Sequence, residues 1–214
     1  MLYPVLLSLH QKRCVIVGGG RVAARKVAGL LEAGARVTVI SPLLDAALSE
    51  LYAQGGIEAA LRSYVPGMLA QYRPLLVFAA TDSAAVNRAV LDEARSLGIL
   101  ANTADEADAG DFHTMAVIRR GQVTAGIGTG GASPALAAHL RQRLESAIGS
   151  EYGTLAAWLL ELRPAVRAHI STQDARAAFW QRVIESPVLD YLRAGDEGGA
   201  RQVFDQLARE ALDS

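Results

Sequence analysis

The feature that most constrains this chain is a glycine cluster set between two different periodicities. Cys14–Val17 is a short, wholly apolar run, as suits a parallel strand buried on both faces. It passes without a linker into Gly18-Gly19-Gly20-Arg21-Val22-Ala23. A helical apolar pattern then follows through Val22, Ala23, Val27, Leu30 and Leu31 and stops at Gly34. A strand that becomes a helix across glycines opens a βαβ unit, and Gly18-x-Gly20-x-x-Ala23 in that context is a dinucleotide fingerprint. Gly18 permits the tight turn, Gly20 lets a pyrophosphate approach the backbone, and Ala23 lets helix and strand pack closely. The helix start offers free amides and a positive dipole end to phosphate. Gly18, Gly20, Arg21, Val22 and Ala23 are therefore the first cofactor-binding candidates.

The pattern repeats. Arg36–Ile40 reads as a second strand, broken by Ser41-Pro42, and residues 43–54 read as a helix ended by Gly55-Gly56. A third strand fits within 57–64, and Leu75–Ala80 is a fourth. A helix from about Ala84 to Leu97 stops at Gly98, and Ile99–Asn102 is a fifth strand. Alternation of this kind predicts an α/β fold, a Rossmann-type doubly wound parallel sheet over residues 1–111. Residues 112–149 then change character. Met115–Arg119 and Gln122–Gly128 flank Arg120-Gly121 as a tight hairpin, and a helix capped by Ser133 with Pro134 in its first turn runs to about Ile148. Residues 150–214 read as a helical C-terminal domain, with breaks near Arg163-Pro164, Ser186-Pro187 and Gly198-Gly199.

Composition narrows the function classes. Lys+Arg is 21 against Asp+Glu 22, a net charge of −1, which argues against a nucleic-acid partner. Only Lys12 and Lys26 are lysines; the other basic residues are arginines, whose planar fork suits carboxylate and phosphate, although a coding bias toward Arg produces the same skew. The single cysteine, Cys14, excludes an intrachain disulfide and any CxxC metal site. The apolar N-terminus has no basic region before it and no apolar run reaches the length of a membrane span, so a cytoplasmic protein without membrane contact is expected.

An NAD site commonly carries Asp or Glu at the end of its second strand. Here that position reads Ser41-Pro42, with no arginine just beyond it for a 2′-phosphate, so NAD and NADP both remain open. Ser41 and Pro42 are the cofactor candidates there. Ala80, Thr81 and Asp82, at the end of the fourth strand, are the candidates for the nicotinamide half. Asp82 also suits the N-cap of the next helix.

Five stretches in order carry a resemblance: Val15–Lys26, Phe78–Asp82 with Asn87, Asn102–Asp105, Asp111-Phe112 and Thr129–Pro134. Together they resemble the precorrin-2 dehydrogenases, the N-terminal module of sirohaem synthases and its stand-alone relatives. Phe179-Trp180 and Leu192–Asp196 extend the likeness into the helical tail. The resemblance implies NAD⁺-dependent oxidation of precorrin-2, a tetrapyrrole with eight carboxylate arms, to sirohydrochlorin in sirohaem or cobalamin biosynthesis. In some members Fe²⁺ then enters as a substrate to give sirohaem. It also implies a homodimer, with residues 112–149 in dimerisation and a site between domains. With no methyltransferase region in its 214 residues, the chain looks like a stand-alone form.

By the same resemblance Asp105 is the catalytic residue, a base for the proton lost on oxidation and for the pyrrole protons displaced by metal. It lies in an acidic run, Asp105, Glu106, Asp108 and Asp111, that a solvated loop would also show. Substrate-binding candidates are Asn102, His113, Arg119, Arg120, Gly130, Gly131 and Ser133. Arg141 and Arg143 flank the same loop. His113 stands where many members carry Ile, with a Pro nearby, which makes the local path a point of departure. His10, His113, His139 and His169 show no HxxxH or HxxE spacing, so no resident metal site is expected; the macrocycle supplies its own nitrogens. The alternatives are a dinucleotide-sensing regulatory module without catalysis and a small-substrate Rossmann oxidoreductase. A short-chain dehydrogenase is disfavoured, since lysines at 12 and 26 alone allow no Tyr-x-x-x-Lys pair.

Overall fold

The structure is a computed structural model that describes residues 2–103 and 109–213. They form two compact units, residues 1–114 and 115–214. In the first, β1 (Arg13–Val17), β2 (Arg36–Ile40), β3 (Glu58–Ala60), β4 (Leu76–Ala79) and β5 (Leu100–Thr103) make a parallel sheet in the order β3-β2-β1-β4-β5. Cys14 pairs with Val37 on one side and Leu76 on the other, and Phe78 pairs with Asn102.

Side chains alternate across the pleat, so a strand covered on both faces must be apolar throughout. β1 shows this directly. Cys14 and Ile16 face a layer with Val37, Val39 and Phe78, closed by Ala23, Val27 and Leu30 of α1 (Arg21–Glu32) and Leu48 of α2 (Ala46–Ala53). Val15 and Val17 face the opposite layer with Val77 and Ala79. Met68 and Leu69 of α3 (Met68–Tyr72) and Val90, Leu91 and Ala94 of α4 (Ala84–Leu97) close it. Each fully buried aliphatic side chain contributes ~1.5–3 kcal/mol of transfer free energy. The doubly wound sheet expected from the sequence is thus present. α2 is shorter than expected, because the Asp45 carboxylate accepts from the Leu48 amide and starts the helix there. The five-residue α3 was not foreseen.

The second unit opens with an antiparallel pair, β6 (Ala116–Arg120) and β7 (Val123–Ile127). Its turn residues are Gly121-Gln122 rather than Arg120-Gly121, since Arg120 pairs with Val123 and Gly121 carries the positive φ of 56°. Five helices follow: α5 (Pro134–Glu145), α6 (Ser150–His169), α7 (Gln173–Glu185), α8 (Val188–Arg193) and α9 (Glu197–Leu212). Leu155, Trp158, Phe179, Val183, Val188 and Phe204 centre their core. The break expected at Ser186-Pro187 separates α7 from α8, whereas two other expected breaks are corrected. Pro164 lies inside α6 on an exposed face, where the carbonyl it leaves unbonded can meet water. Gly198-Gly199 lies in the first turn of α9, where Asp196 caps the Gly199 amide at 2.8 Å, and a Cβ on Gly199 would fall 2.4 Å from that carboxylate. None of the described helices is long and apolar enough to cross a membrane.

Candidate functional site

The carboxyl ends of β1, β2, β4 and β5 lie along one edge of the sheet. The strand order reverses direction at β1, with β2 to one side and β4 to the other. That switch point is where open α/β sheets bind ligands. Gly18 leaves β1 with φ +124°, and its amide donates to the Ile40 carbonyl at 2.9 Å. A Cβ there would lie 2.3 Å from the Ala80 carbonyl oxygen. Gly19, a position not singled out from the sequence, is as tightly held: its Cβ would lie 1.9 Å from the Leu43 oxygen and 2.6 Å from Ser41 Oγ. Gly20 differs, with nothing within 4 Å of its Cβ position. The first two glycines thus set the loop path, and the third leaves open space beside the backbone.

Gly20 is the N-cap of α1 and supplies no capping side chain, and no acidic residue stands in the first turn. Arg21 and Val22 begin the helix exposed, while Ala23 is fully buried against the sheet. A bare, positively flanked helix start beside an open glycine fits the pyrophosphate of a dinucleotide. At β2 the Ser41 hydroxyl donates to the Leu43 carbonyl at 2.7 Å, which leaves its lone pairs as acceptors, and Pro42 is exposed. Asp45, the next acidic residue, is engaged as a helix cap.

Beyond β4, Ala80 is buried and Thr81 is clasped by Asn87. The Thr81 amide and hydroxyl both donate to Asn87 Oδ1, at 3.1 and 2.8 Å, and Asn87 Nδ2 donates to the Thr81 carbonyl at 3.0 Å. Ser83, not Asp82, caps α4, accepting from the Val86 amide at 3.4 Å; this leaves Asp82 exposed at the edge.

At β5, Asn102 is only 5 % exposed. Its Nδ2 donates to the Phe112 carbonyl at 2.8 Å and its Oδ1 accepts from Lys26 Nζ at 3.1 Å, so the carboxamide turns inward. Lys26 is half-buried, with Nζ 4.8 Å from the centroid of the Phe78 ring. Burial, and then the neighbouring Arg25 charge, hold its pKa below the usual lysine value. Asp105 lies outside the described residues. His113 is half-buried in the first unit; Arg119, Arg120, Gly130, Gly131 and Ser133 belong to the second. Arg119 is exposed on β6, and Arg120 Nη1 donates to the Arg119 carbonyl at 3.0 Å. Gly130 and Gly131 have φ of 60° and 85°, and Ser133 caps α5 by accepting from the Leu136 amide at 3.2 Å. Among the described residues no His, Cys, Asp or Glu cluster could hold a metal ion. Gly19, Lys26 and Asn87 were given no site role from the sequence, although all three lie in the stretches that carry the resemblance; the polar character of Lys26 and Asn87 at inward helical positions was a further signal.

The fold and this edge define a Rossmann-type nucleotide-binding unit. Residues 5–116, more than half of the chain, match the family model NAD_binding_7, described as "Putative NAD(P)-binding", and the chain belongs to that family. Residues 151–207 match the model of the sirohaem synthase dimerisation region. A siroheme synthase of Chromobacterium violaceum is 42% identical over 199 residues, covering 93% of this chain and 42% of that protein. One of Methylococcus capsulatus is 41% identical over 208 residues, covering 97% and 44%. The chain therefore spans less than half the length of these curated relatives. Among solved structures, SirC, precorrin-2 dehydrogenase, has the same fold, with a TM-score of 0.75 at 24% identity over 96% of this chain and 100% of that one.

Proposed function

We propose that the chain is an NAD-dependent precorrin-2 dehydrogenase, acting as a homodimer on a soluble tetrapyrrole in the cytoplasm. The observation that carries the reading is the bare start of α1 beside open Gly20 at the sheet's switch point, in a chain whose relatives are named siroheme synthases. NAD, when bound, supplies the hydride acceptor. Gly18, Gly20, Arg21 and Val22 hold its pyrophosphate, with buried Ala23 letting α1 pack closely on the sheet beneath them; Ser41 and Pro42 border the adenosine ribose, and Ala80, Thr81 and Asp82 border the nicotinamide half. Asp105 takes the proton that leaves with the hydride. Arg119, Arg120, Gly130, Gly131, Ser133 and His113 meet the carboxylate arms, arginine because its fork pairs with carboxylate in two bonds. The names of the relatives also favour a second step, in which sirohydrochlorin takes Fe²⁺ as a substrate and Asp105 accepts the displaced pyrrole protons.

Exposed Leu136, Leu140 and Leu144 recur at helical spacing along α5, which buries none of its own residues, and support an interface with a second copy. The test is to incubate the protein with precorrin-2 and NAD⁺ and follow NADH, then add Fe²⁺ and follow the macrocycle spectrum. Asp105→Ala is expected to abolish NADH formation while the protein stays folded. No oxidation by the unaltered protein with either NAD⁺ or NADP⁺ overturns the reading. Wild-type turnover by Asp105→Ala removes that residue from it.

A further inference from the structure

Lys26 is one of two lysines in the chain and reaches from α1 over the Phe78 ring of β4 to Asn102 on β5. Its surroundings form a closed ring of contacts. Nζ donates to Asn102 Oδ1, Asn102 Nδ2 donates to the Phe112 carbonyl, the Phe112 ring meets Phe78 edge-on at 5.2 Å, and Phe78 presents its ring to Nζ. An ammonium is donor-only, so it must take the oxygen end of the carboxamide. That choice turns the Asn102 NH₂ toward the only acceptor it reaches among the described residues, the Phe112 carbonyl. The same junction is stitched by backbone. The Asp111 amide donates to the Ala101 carbonyl at 2.8 Å, and the Ala101 amide donates to Asp111 Oδ2 at 2.9 Å. A Cβ on Gly110 would fall 2.8 Å from the Ala101 oxygen.

As packing alone, this arrangement makes poor sense. A methionine would cover the Phe78 ring without the cost of partly desolvating a charge, and no carboxylate among the described residues offsets that cost. A costly group kept at the edge where ligands bind argues for geometry held at the expense of stability.

We propose that Lys26 is a positioning residue for the oxidation proposed above. Its ammonium fixes the orientation of the Asn102 carboxamide and, through the Phe112 carbonyl, holds the carboxyl end of β5 in a single working geometry. The proposal rests on that functional reading for its kinetic consequence, though not for its structural one.

The test compares Lys26→Met, Lys26→Gln and Lys26→Arg in the full chain. Displacing reacting groups by about an ångström costs up to about 100-fold in rate. Lys26→Met is therefore expected to lower kcat about 10- to 100-fold, with KM for precorrin-2 and the dissociation constant for NAD⁺ changed less than about threefold. Lys26→Arg, which keeps charge and donor, is expected to recover much of kcat, and Lys26→Gln to fall between. Independently, the Asn102 side-chain amide is observed by ¹⁵N NMR. One of its protons exchanges slowly in the parent protein and in Lys26→Arg, and quickly in Lys26→Met. Wild-type kcat in Lys26→Met, or an unchanged Asn102 amide, overturns the proposal. If the unaltered protein shows no oxidation at all, the functional reading fails, and the NMR comparison alone decides whether Lys26 orients Asn102.

Discussion

Gly18 and Ala80 are held so close that a methyl group on the first would sit 2.3 Å from the carbonyl oxygen of the second. The glycine loop and the end of β4 are thus one packed unit, and Gly18 also has a φ of +124° that other residues rarely adopt. Gly18→Ala is expected to destabilise the fold by about 2–5 kcal/mol, the sum of overpacking and backbone strain. Urea unfolding checks it, and a loss below about 1 kcal/mol contradicts the packing described.

Gly20 makes the opposite prediction. With open space at its Cβ position and φ of −91°, Gly20→Ala is tolerated by the fold, yet the methyl group intrudes where pyrophosphate approaches. Thermal stability is expected to change by less than about 1 kcal/mol, while NAD⁺ affinity measured by calorimetry falls at least about tenfold, equivalent to 1.4 kcal/mol. Equal affinities would place the pyrophosphate elsewhere.

Asn87 gives a third test. It is 2 % exposed and returns three hydrogen bonds to Thr81. Asn87→Ala leaves the Thr81 amide and carbonyl without that partner and is expected to cost about 1–3 kcal/mol. Since Thr81 borders the cofactor edge, NAD⁺ affinity should fall as well. A stable variant with unaltered affinity would show that the clasp matters to neither.

The Cys14 thiol is fully buried, and burial raises its pKa from 9.0 to about 11 against a lowering by the backbone contact at Leu76. Native protein is expected to react with a thiol reagent at pH 8 at least about a thousandfold more slowly than unfolded chain, at a rate set by opening. Between pH 9.0 and about 11 the unfolded thiol has lost a proton that the folded one keeps, so this group's contribution makes stability fall as pH rises. Rapid labelling of folded protein would refute the burial.

Lys26 has the reverse sign. Its pKa in the fold lies below 10.5, so across the window up to 10.5 the unfolded chain holds a proton that the folded chain has released, and stability rises with pH. At neutral pH the folded state bears the desolvation cost. Lys26→Met is therefore expected to melt at the same temperature or higher at pH 7, and the difference between the two proteins should shrink as pH approaches 10.5. A large drop in melting temperature would mean that the ammonium stabilises the fold.

The parallel sheet was legible because strands buried on both faces leave apolar runs, and Gly18–Ala23 was legible because a strand-to-helix switch demands small residues. Other features depend on partners remote in sequence. The roles of Lys26 and Asn87 hinge on Asn102 and Thr81, and nothing local to Lys26 announces a residue 76 positions away. Pro164 misled because its effect is set by which face of α6 it occupies, and Gly199 because Asp196 turned an expected break into a cap.

The place of β1 in the sheet has a consequence for biogenesis. It is the first strand in the chain, yet it lies third of five, between β2 and β4. On the ribosome Val37 reaches Cys14 early, whereas Leu76 emerges only after α2, β3 and α3 have been made. Through that interval a strand apolar from Cys14 to Val17 offers an unpaired edge, the surface on which nascent chains associate wrongly. The strand that anchors the cofactor loop is thus also the one for which slow synthesis carries the greatest risk.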